Sequence, residues 1–328
     1  MKICTTPHPN KPSQKNFQKT PNAVKFQGHL GSEKYAKNGI KFLISETALF
    51  RDMQTKNFIK EYIEKTFTNK NQIKILIGGC STGEEAYTFS MLLKSLPQRL
   101  KITGFDISKQ SIESAKSKKL IMQQEIEPKK NLYRPYSKRF NDEFLCFPTA
   151  KELTPAQLKQ KELFDDFFEI TTEKVPRHKE SLQLKFTKWF TRNVYKIYVP
   201  EYDSKIVKLR ENKAVNCDFV NGDILNLNEI TKGEKVEIIT FTNAMYHLIS
   251  ENIANGLLRR VLPNAEETVT TIAQNVKNNL NPKGIFVLGE DEILQTMDTT
   301  IVPKVFKNLG FQPLNKTDEH LENVWQLP

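Results

Sequence analysis

The sequence predicts an α/β protein built on a mostly parallel, doubly wound sheet, and three observations predict it. Short apolar runs such as "VEIITF" (236–241) and "GIFVLG" (284–289) are bounded by polar turns, the pattern of strands covered on both faces. These runs alternate with segments whose apolar residues recur at helical spacing, as βα units do. The first run feeds a glycine-rich turn that opens straight into a helical pattern, "IKILIGGCSTGEEAYTFSMLL" (73–93). That strand, turn and helix form a common cradle for a nucleotide-like ligand at the carboxyl edge of such a sheet.

Taken in chain order, residues 1–39 read as a disordered basic tail. Of the formal charge of +11, residues 1–40 hold seven Lys against one Glu, a net of +6, in a setting rich in Pro, Asn, Gln, Ser and Thr. Such a tail is either an arm drawn to nucleic acid or another acidic surface, or simply a solvated Lys-rich segment. The lack of a basic motif interleaved with aromatics favours the second and argues against a nucleic-acid partner. Residues 40–70 form a short helical element, with Phe58, Ile59, Tyr62, Ile63 and Phe67 at helical spacing and Thr55 as the expected N-cap.

From 71 to 328 the chain reads as one α/β domain. Its expected elements are strand 73–78, helix 83–95, strand 101–106, helix 109–119, strands 216–220 and 236–241, helix 264–279, strand 284–289, helix 302–309 and a last strand near 322–327. An insertion at about 123–210 interrupts it, carrying the helical "ELTPAQLKQKELFDDFFEI" and the basic, aromatic "LKFTKWFTRNVYKIYVPEY". It serves either specificity or packing, and the sequence does not choose.

A chain of 328 residues with 38% hydrophobic content can bury a substantial core. No apolar run nears the roughly 20 residues of a membrane span, and the N-terminus lacks a secretory apolar segment, so the expected compartment is the cytoplasm. The cysteines (Cys4, Cys80, Cys146, Cys217) and histidines (His8, His29, His178, His247, His320) are widely spaced, which argues against a structural metal or a disulfide framework.

Three features bear on the ligand. The turn after the first strand holds Gly78, Gly79 and Gly83, Asp106 ends the second strand, and "NGDIL" (221–225) follows a later one. An acid about 20 residues beyond the glycines is placed to accept both hydroxyls of a ribose. The phosphate-binding glycine patterns are absent, and Glu84 and Glu85 favour a cationic group. The ligand these features describe is adenosine-like, without phosphates, and cationic, as S-adenosylmethionine is. Either glutamate could instead be a first-turn charge complementing the helix dipole.

"GGCSTGEEAYTFSMLL" is very similar to the signature of the CheR family of chemotaxis-receptor methyltransferases, protein-glutamate O-methyltransferases that usually read G-C-S-T-G-E-E-P-Y-S. Other segments follow in the family's order: "SETALFRD" (45–52), "GFDISKQSIESAK" (104–116), "LTPAQL" (153–158), "NGDIL", "FTNAMYHL" (241–248) and "LNPKGIFVLGEDE" (280–292). The resemblance covers about 40–122 and 212–328. It implies a Rossmann-like S-adenosylmethionine-dependent methyltransferase fold, with S-adenosylhomocysteine as product. It also implies a protein substrate bearing acceptor glutamates, such as a chemoreceptor.

Carried over by position, the resemblance assigns Thr47, Arg51, Gly79, Gly83, Glu84, Glu85, Asp106, Asp223, Ile224, Thr242 and Asn243 to cofactor binding. It places Arg51, Asn243 and His247 nearest the chemistry. Departures from the family are Thr242 where it has Arg, His247 where it has Tyr (with Tyr246 one place earlier), Lys283 where it has a Gly of P-G-G, and Glu290, Asp291 and Glu292 in place of H-S-E. Alternative readings are a surface ion pair for Arg51, a packed ring for His247 and a small buried residue for Cys80. A cofactor-binding module without turnover also remains open, as does a different methyl acceptor.

Overall fold

A computed structural model describes residues 49–125, 155–173, 186, 202–213, 215–242, 244–253, 258–289, 300–314 and 324–328. The basic tail, Thr47, Asn243, Glu290, Asp291, Glu292 and much of the expected insertion lie outside them. Helix α1 (Met53–Thr66) precedes β1 (Gln72–Gly78), α2 (Glu84–Leu92), β2 (Arg99–Asp106) and α3 (Lys109–Lys116). A second group follows, made of β3 (Lys119–Glu125), α4 (Pro155–Phe167), β4 (Phe168–Ile170) and β5 (Tyr202–Leu209). Next come β6 (Cys217–Asn221), a 3-10 turn (Ile224–Asn226), α5 (Leu227–Thr231), β7 (Val236–Phe241), α6 (Met245–Ile249), β8 (Ser250–Ile253) and β9 (Leu258–Val261). The remaining elements are α7 (Ala265–Asn279), β10 (Leu280–Leu288), α8 (Ile301–Asn308), β11 (Gln312–Pro313) and β12 (Val324–Gln326).

The seven-stranded sheet runs β11-β12-β10-β7-β1-β2-β6. Its five strands from β10 to β6 are parallel, and β12 is antiparallel to β10. Numbered along the chain, this is the order 3-2-1-4-5-7-6 with the seventh strand reversed. It is a doubly wound, Rossmann-like α/β fold whose topological switch lies between β1 and β7, and ligands bind such sheets beyond the carboxyl ends at that switch.

Period-2 side-chain alternation sends the apolar runs to two cores. Ile73, Ile75, Ile77, Ile238, Ile285 and Val287 pack with α1, α2 and α3 on one face. Leu76, Ile239, Phe241, Phe286 and Leu288 pack with α6, α7 and α8 on the other. Each fully buried side chain of this size contributes about 1.5–3 kcal/mol, which is why strands reading as nearly continuous apolar runs settle at the centre.

Helix α1 starts at Met53, with Asp52 in a left-handed conformation as its N-cap; the expected cap, Thr55, is buried in the first turn. Tyr62 fastens α1 to the sheet, donating to the Lys283 carbonyl at 2.7 Å and accepting from Gln326 Nε2 at 2.7 Å. Lys283, which replaces a glycine of the resembled motif, takes φ 61, a left-handed backbone that glycine adopts without steric cost. At the amino end of β7, Glu237 is 3% exposed. It pairs with Lys70 and accepts from the Lys74 N–H at 2.7 Å and Asn281 Nδ2 at 2.6 Å.

Helix α3 is shorter than expected because a turn at Lys118 (φ 58) redirects the chain into β3. Strands β3, β5 and β4 form a separate antiparallel sheet. It docks through α4 and β4 onto α2, where the Phe168 ring meets Tyr87 edge-on at 5.9 Å and stacks on Phe164 at 5.3 Å. The antiparallel pair β8 and β9 was likewise not expected from the sequence. Among the described residues no helix is long and apolar enough to cross a membrane, and no His, Cys, Asp or Glu cluster could hold a metal ion.

Candidate active site

Strand β1 ends in a turn where Gly79 (φ 65), Ser81 (φ 48) and Gly83 (φ 95) adopt left-handed backbone. The turn is crowded on both sides. A Cβ on Gly79 would sit 2.8 Å from the Ala244 Cβ, and one on Gly83 would sit 2.9 Å from the Phe219 ring. The loop after β1 therefore rests against the loop after β7, which places both at the topological switch.

Asp106, at the carboxyl end of β2, turns toward this loop. Its Oδ2 accepts the Ser81 N–H at 3.0 Å and its Oδ1 accepts the Ser108 N–H at 2.8 Å. Strand β6 closes on it from the far side, as Gly222 N–H and Asn221 Nδ2 both donate to the Asp106 carbonyl, at 3.0 and 2.9 Å. A carboxylate offers about four lone-pair sites, so one remains on each oxygen for a pair of ligand hydroxyls.

The two glutamates of α2 divide. Glu84 accepts from the Thr82 hydroxyl within the first turn, beside the helix N-terminus whose dipole it complements. Glu85 turns inward to β7, accepting from the Thr240 hydroxyl at 3.1 Å and from Thr242. It lines a cavity of about 10 Å³, room for a single water, together with Asp52, Lys56, Thr55, Phe89, Thr240 and Thr242.

The site is electronegative. Burial pushes the Cys80 thiol well above its ordinary value, and the charges of Asp106, Glu84 and Glu85 push it further, a sign that all three carboxylates converge on this turn. Cys80 is fully buried and protonated, so it packs and does not act as a nucleophile. Burial also raises the Asp223 carboxyl, opposed by the hydrogen bond it accepts from the Leu225 N–H at 3.0 Å. Next to it Ile224 is 2% exposed and packs in the core facing α7. Asn275 pins the 3-10 turn by donating to the Leu225 carbonyl at 2.6 Å.

Arg51 lies just before α1, largely buried, with Nε 3.8 Å from Asp52 Oδ2. Its segment is held against α2 because the Phe50 N–H donates to Thr88 Oγ1 at 3.0 Å. Phe50 (φ 62) and Asp52 (φ 48) flank Arg51 in left-handed backbone, which for non-glycine residues stores strain of about 1–3 kcal/mol each. His247 sits half-buried on α6, its ring 3.9 Å from that of Tyr246. The structure thus gathers Gly79, Gly83, Glu84, Glu85, Asp106 and Thr242 around one turn, with Asp223 and Ile224 on the loop after the adjacent strand.

Sequence reasoning missed Lys56, Thr240, Asn221 and Thr88. A signal existed for Lys56, which precedes the buried Ile59 and Ile63 of α1 by three and seven residues and so shares their face.

These residues fit an adenosyl sulfonium ligand. Asp106 keeps acceptor capacity for a ribose diol, and the converging carboxylates favour a sulfonium and an ammonium. The fold and this crevice define the class as the Rossmann-like methyltransferases that use S-adenosylmethionine. Residues 45–152, about a third of the chain, match the family model "CheR methyltransferase, SAM binding domain", and this part of the chain is similar to that cofactor-binding domain, which supports an S-adenosylmethionine-dependent methyltransferase.

No curated protein matches the chain significantly. Solved structures similar to it include the plantazolicin methyltransferase BamL (14% identity, TM-score 0.35, covering 86% of this chain and 64% of that one). Others are the N-methyltransferase NodS from Bradyrhizobium japonicum WM9 (10% identity, TM-score 0.36, covering 85% and 99%) and the PH0226 protein from Pyrococcus horikoshii OT3 (13% identity, TM-score 0.38, covering 90% and 99%). Superposition at these scores adds nothing to what strand order and register establish.

Proposed function

We propose that this methyltransferase acts on glutamate side chains of a protein, with a chemoreceptor-like protein as acceptor. The observation that carries this reading is the match of residues 45–152 to the CheR cofactor-binding domain. A glutamate carboxylate, with a reference pKa of about 4.3, is already an anion at neutral pH and needs no base.

When bound, S-adenosylmethionine supplies a methyl group activated by the positive sulfur beside it. The residues present have two tasks. Asp106 fixes the ribose end and Glu85 the amino-acid end, so that the methyl carbon is held in one place. In this reading Arg51, the neighbour of the cavity-lining Asp52, orients the acceptor carboxylate toward it. Holding the reacting atoms in line can account for roughly 7–11 kcal/mol of barrier reduction.

Incubation with methyl-labelled cofactor and candidate acceptors tests the reading. Base-labile label in protein supports a carboxyl ester, whereas base-stable label or label in nucleic acid refutes it. Arg51→Ala is expected to lower transfer by at least about 100-fold while S-adenosylhomocysteine affinity falls less than about tenfold; unchanged transfer removes Arg51 from the site. A second reading, a cofactor-binding module without turnover, draws on Thr242, which replaces the family's Arg and is engaged by Glu85. Cofactor binding with no transfer to any acceptor would favour it.

A further inference from the structure

The amino edge of the main sheet, at the far end of the strands from the cofactor crevice, holds a cleft that the chemistry described so far does not use. Strand β2 begins at Arg99, but β6 begins only at Cys217, which stands opposite Ile102. Arg99, Leu100 and Lys101 therefore have no paired strand on that side. Between them and the chain entering β6 lies a cleft of about 490 Å³, within the roughly 300–1,000 Å³ of small-ligand sites. Arg99, Leu100, Lys101, Val215, Asn216 and Asp218 are among its walls.

Backbone alternation fixes what points into it. The Ile102 N–H donates to the Asn216 carbonyl at 3.0 Å and the Asp106 carbonyl accepts from Gly222, so these even-numbered residues of β2 turn their backbone groups toward β6. Leu100 belongs to that set, and Asn216 faces it. Among the described residues the N–H groups of Leu100 and Asn216 have no partner. Two side chains add charge. Arg99 and Lys101 are two residues apart on one strand, so they share a face, and both are exposed. Arg99 has no ion-pair partner among the described residues, and Lys101 comes within 3.8 Å of Glu234, an acid that Lys74 already engages at 3.0 Å.

Two unpaired N–H donors beside two cations make the cleft complementary to an oxyanion, and Leu100 and Val215 offer apolar surface to the body that carries it. We propose that this cleft is a second ligand site, taking a small organic anion with one carboxylate or phosphate monoester group. The oxyanion accepts from the Leu100 and Asn216 N–H groups and pairs with Arg99 and Lys101, while Asp218 disfavours a second anionic group. Asp106 ends the same strand seven residues on, roughly 20 Å away, so this ligand does not compete with the cofactor. The inference does not rest on the cofactor reading.

Titration of isotope-labelled protein with hexanoate, phenyl phosphate and inorganic phosphate tests it, read by NMR at the Leu100 and Asn216 amides. At least one of the two organic anions should shift both amides saturably, and inorganic phosphate should bind at least about threefold more weakly than that anion. Comparison of hexanoate with phenyl phosphate tells which oxyanion the site prefers. The double variant Arg99→Gln, Lys101→Gln should lose about tenfold or more in affinity. Both side chains are exposed, so that variant should unfold in urea at the parent's midpoint. Saturation with S-adenosylhomocysteine should leave the affinity within about twofold. Four results overturn the proposal: no saturable shift at these amides with either organic anion, unchanged affinity in the double variant, inorganic phosphate binding as tightly as the organic anions, or competition by S-adenosylhomocysteine. Failure of S-adenosylhomocysteine to bind at all would overturn the cofactor reading and leave this site standing.

Discussion

Replacing Asp106 by Asn is the most informative perturbation of the site, because this carboxylate has a structural task and a ligand task at once. Before any ligand arrives, its two oxygens accept backbone N–H groups from Ser81 and Ser108, stapling the glycine turn to the end of β2. Asparagine keeps the shape but turns one acceptor into a donor that faces an N–H. One charge-assisted hydrogen bond, worth about 1.5–3 kcal/mol, is lost, and a backbone donor is left without a partner. We expect the unfolding free energy to fall by about 2–3 kcal/mol in urea titrations. The ligand loses the same acceptor and the negative charge that strengthens both ribose hydrogen bonds. Calorimetry should then show S-adenosylhomocysteine binding weakened by at least about 100-fold, roughly 3 kcal/mol. If the Asp106→Asn protein binds the ligand within about threefold of the parent, the carboxylate only staples the turn and the ribose lies elsewhere.

Two further outcomes follow from other buried carboxylates. Glu237→Ala leaves Lys70, the Lys74 N–H and Asn281 facing an empty acceptor, and should cost about 3–5 kcal/mol in urea unfolding. Because Glu237 lies at the amino end of β7, opposite the crevice, folded protein should keep its S-adenosylhomocysteine affinity within about twofold. Asp223 has its folded-state pKa raised by burial, so its contribution to stability is full below the ordinary value of 3.8 and is lost as pH rises through the folded value. Asp223→Asn should therefore be more stable than the parent at neutral pH, and denaturation at stepped pH should show the gap closing toward pH 3.8. A gap that widens on acidification would refute that account.

Much of the fold was legible because its signals are local. Strands β1, β2, β6, β7 and β10 and helices α2, α3, α7 and α8 each announce themselves by an apolar run or a helical period ended by polar residues. The second sheet was not legible, since β3 looks like the tail of α3 until the Lys118 turn breaks the helix, and β5 pairs with a strand far earlier in the chain. At the site, the glycine turn and Asp106 stood out as residue types at a familiar spacing. That Glu85 turns to β7 while Glu84 stays at the helix start could not be read from two adjacent identical letters. For Ile224, which the motif order assigns to the ligand, only the packing shows that its side chain lies in the core.

What the sequence by itself determined is therefore the chemistry on offer: a glycine turn, acids at a strand end and a helix start, and alternating βα units. What only the tertiary structure decided is which of these meet. The strand order 3-2-1-4-5-7-6 brings the ends of β1, β2 and β7 side by side, and the docking of α1 on α2 places Lys56 against the cavity that Glu85 lines. The physical reason is that hydrophobic periodicity acts between neighbours in the chain, whereas a charge acquires its role from what surrounds it in space, and burial is a property of the assembled sheet.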